Sequence, residues 1–442
     1  MSEPVVLIHG YSDVGSSFKK WAGILQSRYN VHVCTYQSLT NEVTIKDIAE
    51  GLDRALRTCA GLGPDEPFNA IVHSTGMLVL RSWLTTYPKR RDRLKRLIGL
   101  APATFGSPVA RMGRSWLGAI VKGNKEEGPD FLEAGDKVLD ALELASPFTW
   151  KLAHEDLFCT PEFYGPDRST PYVFIFCGTE MYGGFRRFVN SPGTDGTVRI
   201  AGCALNARKF DIDLSRTAER SPSGGDQRIK ISQNKSIDFP VWPIKCKTHG
   251  TILSDPSSVL QELVLGALQV ESRESYETWR TKAKAATDAT RKQLPQWQQF
   301  IVHAVDERGD PIPDYQIELY SMEDDTLLDL QLDPDIYKYD SSYRSYHVDV
   351  RDLVGMTGKL YVKVIAKSGS ALVDYYGIGS EKFGAGGLWD AIVPITASSE
   401  DGQNFFQPFT TTLIELRLNR DPKPFTADRV RLCYFGEWGQ DG

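Results

Sequence analysis

The residues best equipped for covalent chemistry lie in Ile71-Val72-His73-Ser74-Thr75-Gly76-Met77. An apolar approach, then Ser-x-Gly, then a helix-like pattern (Leu80, Trp83, Leu84) reads as strand, sharp turn, helix. Such a turn strains the serine backbone and exposes its hydroxyl at the strand's carboxyl edge, where it can act as a nucleophile. The helix that follows aims free N–H groups and its positive dipole end at an oxyanion forming there. Gly76 lets the turn close without a side-chain clash.

A serine hydroxyl reacts only when a base takes its proton, and the base needs a third group to fix its tautomer. The sequence offers 7 histidines. His9 and His73 flank Gly10 and Ser74 at strand ends, and His32, His303 and His347 fall within strand-like runs. His154 lies in a helical stretch. His249 alone sits in a loop-like Thr248-His249-Gly250 after a late strand, the place for a base that reaches back over a sheet edge. The acid expected behind it is Asp195, in the tight turn Gly193-Thr194-Asp195-Gly196. The competing reading of Asp195 is a turn carboxylate capping its own backbone. Glu180, Asp211 and Asp213 remain alternatives. An oxyanion needs two backbone donors; the geometry of the two turns points to Thr75, directly after the serine, and to Tyr11, after the first strand.

The elements that must position these residues follow from hydrophobic periodicity. Pro4 to Ile8, Asn30 to Tyr36, residues 67–73, Leu97 to Pro102 and Tyr172 to Gly178 are short apolar runs of the kind buried in a parallel sheet. Between them lie amphipathic stretches, clearest over Thr44 to Cys59, with Ile45, Ile48, Ala49, Leu52 and Leu56 on one face. Strands alternating with helices predict an α/β domain with crossover helices. Residues of about 105–165 read as an all-helical insert, placed where a cap over the sheet edge would sit; helices packed on the sheet flank are the plainer alternative. Residues 214–235 are polar and Gly/Ser-rich and read as an exposed excursion. Residues 271–296 form a polar helical linker anchored by Trp279. From 297 to 442 the pattern turns to alternation broken by Gly, Pro and Asp, which predicts an all-β sandwich. The expected division is therefore 1–270, 271–296 and 297–442.

Taken together, Val6-Leu7-Ile8-His9-Gly10-Tyr11, Val72-His73-Ser74-Thr75-Gly76-Met77, Thr194-Asp195-Gly196-Thr197-Val198 and Thr248-His249-Gly250 resemble the α/β-hydrolase superfamily, and within it bacterial lipases and esterases. The resemblance covers Pro4 to about Leu268. It implies ester hydrolysis through an acyl-serine intermediate, with nucleophile, acid and base in the order Ser74, Asp195, His249. Val72 stands where the pattern carries a small residue and Met77 where glycine is common, so neighbouring packing must make room. No carboxylate directly follows His249, so no calcium site of the kind some lipases build there is implied. No cofactor and no metal is expected.

Composition narrows the partners. A net charge of -6 argues against nucleic-acid binding, which calls for a basic stripe. Peripheral membrane contact stays open, because a local apolar patch docks on lipid whatever the overall charge. The 7 cysteines form no C-x-x-C pair and fit buried thiols. With no signal-peptide pattern and no long apolar run, a cytoplasmic location is the default, with signal-less export open. The sequence reading is a serine hydrolase acting on lipid-like acyl esters; a phospholipase (a toxin or effector among the options), a thioesterase or acyltransferase, and a non-catalytic binding protein on the same scaffold are alternatives. The β-rich part resembles the immunoglobulin-like or transthyretin-like modules appended to many enzymes. Its aromatics (Tyr375-Tyr376, Phe383, Trp389, Phe405-Phe406, Tyr434-Phe435, Trp438) read as its core or, alternatively, as a platform for lipid or a partner.

Overall fold

A computed structural model describes residues 3–11, 15–38, 40–112, 135–165, 170–184, 187, 190–215, 229–233, 239–323, 326–330, 332, 334–351, 359–370, 372–376, 388–395, 405–422 and 432–433. The chain divides into two compact units, one of Met1–Arg208, Gln233–Gln299 and Pro408–Thr412, the other of Lys209–Ser232, Phe300–Gln407 and Leu413–Gly442.

The first unit is built on a six-stranded sheet. Its strands are β1 (Pro4–Ile8), β2 (Asn30–Cys34), β3 (Phe68–Ser74), β4 (Leu94–Pro102), β5 (Tyr172–Gly178) and a last strand at Val241–Ile244, ordered β2-β1-β3-β4-β5 and then the last strand. Every neighbouring pair is parallel. The continuous apolar runs predict this arrangement, and β3 and β5 are buried along their whole length. Helix α1 spans Lys19–Leu25 and α2 spans Ile45–Thr58, where Thr44 and Asp47 close a capping box. Helix α3 (Gly76–Thr86) leaves directly from β3, and the fold is an α/β hydrolase. Two helices of the insert are described, α4 (Asp136–Leu142) and α5 (Pro147–Asp156). The expected cap positions Trp116, Leu117, Ile120, Val121, Phe131 and Leu132 lie outside the described residues. After the last strand come α6 (Thr251–Ser254), α7 (Ser258–Ala267) and α8 (Arg273–Gln293). Trp279 anchors α8: its ring meets Phe174 edge-on at 4.6 Å and its Nε1–H donates to the Leu263 carbonyl at 2.9 Å.

A buried charge cluster ties the insert to α3. Arg81, on α3, donates to both carboxylate oxygens of Asp156 on α5 at 2.7 and 2.8 Å, and to the Thr104 carbonyl at 2.7 Å. Tyr164 adds its hydroxyl to Asp156 at 2.7 Å. Both side chains of the ion pair are fully buried, so each charge depends on this geometry for its solvation.

The second unit is a two-sheet β structure. Strand β6 (Ala207–Asp213), whose first two residues belong to the first unit, and β7 (Ile229–Gln233) precede the strand at 241–244, which is therefore β8. Then follow β9 (Trp297–Asp306), β10 (Tyr315–Glu323), β11 (Thr326–Leu330), β12 (Asp335–Ile336), β13 (Tyr343–Asp349), β14 (Lys359–Lys367), β15 (Val373–Tyr376), β16 (Leu388–Ile395) and β17 (Thr411–Pro422). One sheet runs β11-β10-β14-β16; the other runs β12-β13-β9-β17-β6-β7, with β15 paired to β17. Apolar residues of both sheets, Phe210, Phe300, Ile317, Val364 and Leu416 among them, form one core.

The stretch read as an exposed excursion thus carries β7, and β6 before it alternates buried and partly exposed residues along Ala207–Asp213. Its period-2 pattern is that of a half-buried strand whose partner, β17, lies about 200 residues on. The aromatic-platform alternative does not hold at Phe405 and Tyr375: both are buried, and Phe405 stacks on Phe300 at 5.5 Å. Phe383, Tyr434, Phe435 and Trp438 lie outside the described residues.

Candidate active site

The sheet's carboxyl edge gathers the residues picked out for chemistry. Ser74 ends β3 with φ 51, a left-handed conformation that a non-glycine residue adopts only under constraint. The β3–β4 register shifts between His73 and Ser74, and Ala101 opposite also has positive φ, 46. The Ser74 carbonyl accepts from the Ala103 N–H at 3.0 Å, so the pleat is broken on both strands at once and the serine is turned out of it. Gly76 starts α3 so close to β1 that a Cβ there would lie 2.5 Å from the Ile8 carbonyl oxygen. Gly10 is pressed equally hard on the serine: a Cβ would lie 2.8 Å from Ser74 Cβ and 3.2 Å from His73 Nδ1.

Asp195 and His249 meet. The His249 Nδ1–Asp195 Oδ2 distance is 3.0 Å, and the His249 N–H donates to the Asp195 carbonyl at 2.9 Å. The other carboxylate oxygen, Oδ1, accepts from the N–H groups of Thr197 at 3.1 Å and Val198 at 2.9 Å. The two readings of this residue are therefore both present, one on each oxygen: Oδ1 caps its own turn and Oδ2 faces the imidazole. The turn is buried and bolted from outside, where Ser107 Oγ–H donates to the Thr197 carbonyl at 2.5 Å. Of the competing acids, Glu180 is exposed, Asp211 pairs with Lys209 at 3.5 Å, and Asp213 accepts from the Ser215 N–H at 3.1 Å.

The oxyanion candidates are both buried, Thr75 at the entrance of α3 and Tyr11 just after Gly10. The turn that carries Tyr11 is clasped from β2's end. The Tyr36 hydroxyl donates to the His9 carbonyl at 2.6 Å, the Tyr36 N–H donates to His9 Nε2 at 3.2 Å, and the rings stack at 4.1 Å. His9 Nδ1 lies 2.7 Å from the Gly10 carbonyl, so Nδ1 carries the proton that this bond needs.

Three features of this edge were not read from the sequence. His73 is buried, its Nε2–H donates to the His249 carbonyl at 3.0 Å, and the two rings lie 4.5 Å apart. Burial first, and then the neighbouring His249, hold its pKa well below the ordinary 6.5. Arg81 left a usable signal, since one cation inside the apolar run Leu78 to Leu84 demands a buried partner. The room for Met77 comes from β4, at the residue paired with Val72. Val72 pairs with Gly99, and a Cβ on Gly99 would lie 2.9 Å from Ile175 Cδ1 and 3.1 Å from Met77 Cε. The small residue that the pattern asks for has moved one strand over.

No protein-family model and no curated protein matches the sequence. Among solved structures, the chain is similar to phospholipase PlaB from Legionella pneumophila, with a TM-score of 0.75 and 23% identity over 97% of each chain. A structure of that phospholipase in complex with thio-NAD matches with a TM-score of 0.73 and 23% identity over 95% of this chain and 94% of that one. The mature lipase BlEst2 of Bacillus licheniformis aligns with a TM-score of 0.34 and 19% identity, over 46% of this chain and 79% of that one. At this identity the likeness to the phospholipase establishes the fold.

Proposed function

We propose that the protein is a serine hydrolase of carboxylic esters, acting on lipid-like acyl esters with phospholipids foremost, and that its chemistry resides in the first unit. One observation carries the reading: a buried Asp195–His249 pair at 3.0 Å and a left-handed Ser74 share the sheet's carboxyl edge. Ser74 Oγ attacks the acyl carbonyl while His249 Nε2 takes its proton. Asp195 Oδ2 holds the imidazole with its other proton on Nδ1 and stabilises the charge that the ring acquires. The backbone N–H groups of Tyr11 and Thr75 receive the oxyanion, helped by the positive end of α3. Collapse expels the alcohol, protonated by His249, and leaves an acyl-serine; water, activated by the same histidine, releases the acid. The chemistry calls for no metal or cofactor.

The phospholipid preference draws support from the name of the neighbour whose fold this chain shares over 97% of its length. Such a substrate lies in a bilayer, so the protein must meet a membrane surface. Among the described residues no helix is long and apolar enough to cross one, and the reading is of peripheral contact. Fluorophosphonate labelling with peptide mapping, followed by turnover of phosphatidylcholine and phosphatidylglycerol vesicles beside p-nitrophenyl esters of graded chain length, tests both parts. Label on Ser74 and its loss in Ser74→Ala are expected; full activity in Ser74→Ala would sink the scheme. Release of fatty acid from soluble esters only would remove the phospholipid assignment.

A further inference from the structure

His73 has no part in the scheme above, yet it is a buried imidazole next to the nucleophile. A hydrophobic side chain would fill the same space without the cost of desolvating a polar ring. What histidine adds is an N–H aimed at one atom, the main-chain carbonyl of His249, 3.0 Å away and 176 residues distant in sequence.

We propose that His73 is a positioning residue of this site, fixing the main chain of His249 to the strand that carries Ser74. The inference rests on the reading of Ser74 and His249 as nucleophile and base. His249 is then tethered at three points: its N–H to the Asp195 carbonyl, its Nδ1 to Asp195 Oδ2, and its carbonyl to His73. The first two tie it to the acid turn alone. Only the third ties it to β3, and so sets the distance between base and nucleophile directly. When the ring takes the serine proton it becomes a cation beside a buried carboxylate, and a loosely held loop would follow that attraction. His73 resists the displacement from the opposite side, with the rings 4.5 Å apart at 45°. Because burial and the nearby His249 keep His73 neutral, it stays a donor and adds no second positive charge when His249 takes up the proton. Gly10 completes the seat, since any Cβ there would press on both Ser74 and His73 Nδ1.

The test uses the full chain with His73→Leu and His73→Gln, the latter retaining an N–H donor of similar reach. For each variant, kcat and KM on a short-chain p-nitrophenyl ester, the rate of fluorophosphonate labelling at Ser74, and Tm are measured. In His73→Leu, kcat and the labelling rate fall together by about 10- to 100-fold while KM stays within about two-fold. His73→Gln recovers most of that loss at a comparable Tm. His73→Met serves in place of His73→Leu if the latter does not fold. Labelling of His73→Leu or His73→Met at the wild-type rate overturns the proposal, as does a folded His73→Gln that is as slow as the apolar variant. A wild-type protein that takes no label at Ser74 would instead overturn the reading of the site itself.

Discussion

The two ends of the six-stranded sheet are built on opposite plans. At the amino end lies a cleft of about 320 Å³ lined by Glu3, Asn69, Lys95, Arg96, Tyr172 and Glu271 among others. Its polar contacts are of ordinary kinds: Arg96 donates to the Val270 carbonyl at 2.6 Å, to Glu3 at 2.7 Å and to Asn69 at 3.0 Å. The carboxyl end is marked instead by backbone strain. Ser74, Ala101 and Cys246, at or near the ends of β3, β4 and β8, have left-handed backbones, and the rings of His9, His73 and His249 and the Asp195 carboxylate there are buried and hydrogen-bonded. Volume marks where packing is absent; strain and fully committed polar groups mark where geometry has been fixed against its own cost. The end that holds this cleft is thus not the end that gathers Ser74, Asp195 and His249.

Substitutions can break that contrast, and the largest effect on turnover should come from Gly10→Ala. Its new methyl must push on Ser74, whose Cβ would be 2.8 Å away. If Ser74 is the nucleophile proposed above, displacing it by a fraction of an ångström should lower kcat by about 100-fold, read on a soluble ester with Tm as the control. Next, Asp156→Asn leaves Arg81 buried beside a neutral amide, so unfolding by urea should show a loss of about 3–5 kcal/mol. Unchanged stability there would mean that the polar groups behind α3 are not committed as described.

The His73 pKa gives a smaller, pH-dependent effect. Its folded value lies below 6.5, so below pH 6.5 the unfolded chain binds a proton that the folded one refuses. Stability is then complete above about pH 6.5 and falls as pH drops toward the folded value, by about 1.4 kcal/mol per pH unit from this group. The titratable side chains acting on it are His249 and His9. Denaturation of wild type and His73→Gln across pH 5 to 7 isolates the slope as their difference. Smallest of all is Glu3→Gln at the amino end. Glu3 is half exposed in its pair with Arg96, so the expected loss is about 0.2–1 kcal/mol with kcat unchanged. A fall in kcat would show that the two ends are coupled.

Much of the first unit was legible because its signals are local. Apolar runs such as Tyr172 to Gly178 match their strand residue for residue, and the Ser-x-Gly turn needs only its own few residues to declare itself. The Asp195 turn was legible by position, though its sharing of duties between two oxygens was not. What the sequence left hidden depends on register and long-range pairing. That Gly99 lies opposite Val72 and leaves room for Met77 is visible only once β3 and β4 are aligned. The bond from His73 to His249 joins strand and loop across 176 residues. Strand β6 shows the proper alternation, but the polar, Gly/Ser-rich stretch after it masked a strand whose partner had not yet come into view.

The assignment of β6 has a consequence for synthesis on the ribosome. All of Ser74, Asp195 and His249 have been translated by residue 249, yet Pro408–Thr412 still belong to their unit. There Thr411 Oγ1–H donates to the Ala201 carbonyl at 3.2 Å, and the Phe409 N–H donates to the Trp297 carbonyl at 2.7 Å. Likewise β6, with the apolar Phe210 and Ile212, has β7 on one side but must wait for β17 before its other edge is paired. A nascent chain therefore carries an apolar strand with one edge open through much of its elongation, the kind of intermediate that chaperones shelter. Cutting the gene before residue 297 would make that interval permanent, so the two units cannot be separated by a simple truncation.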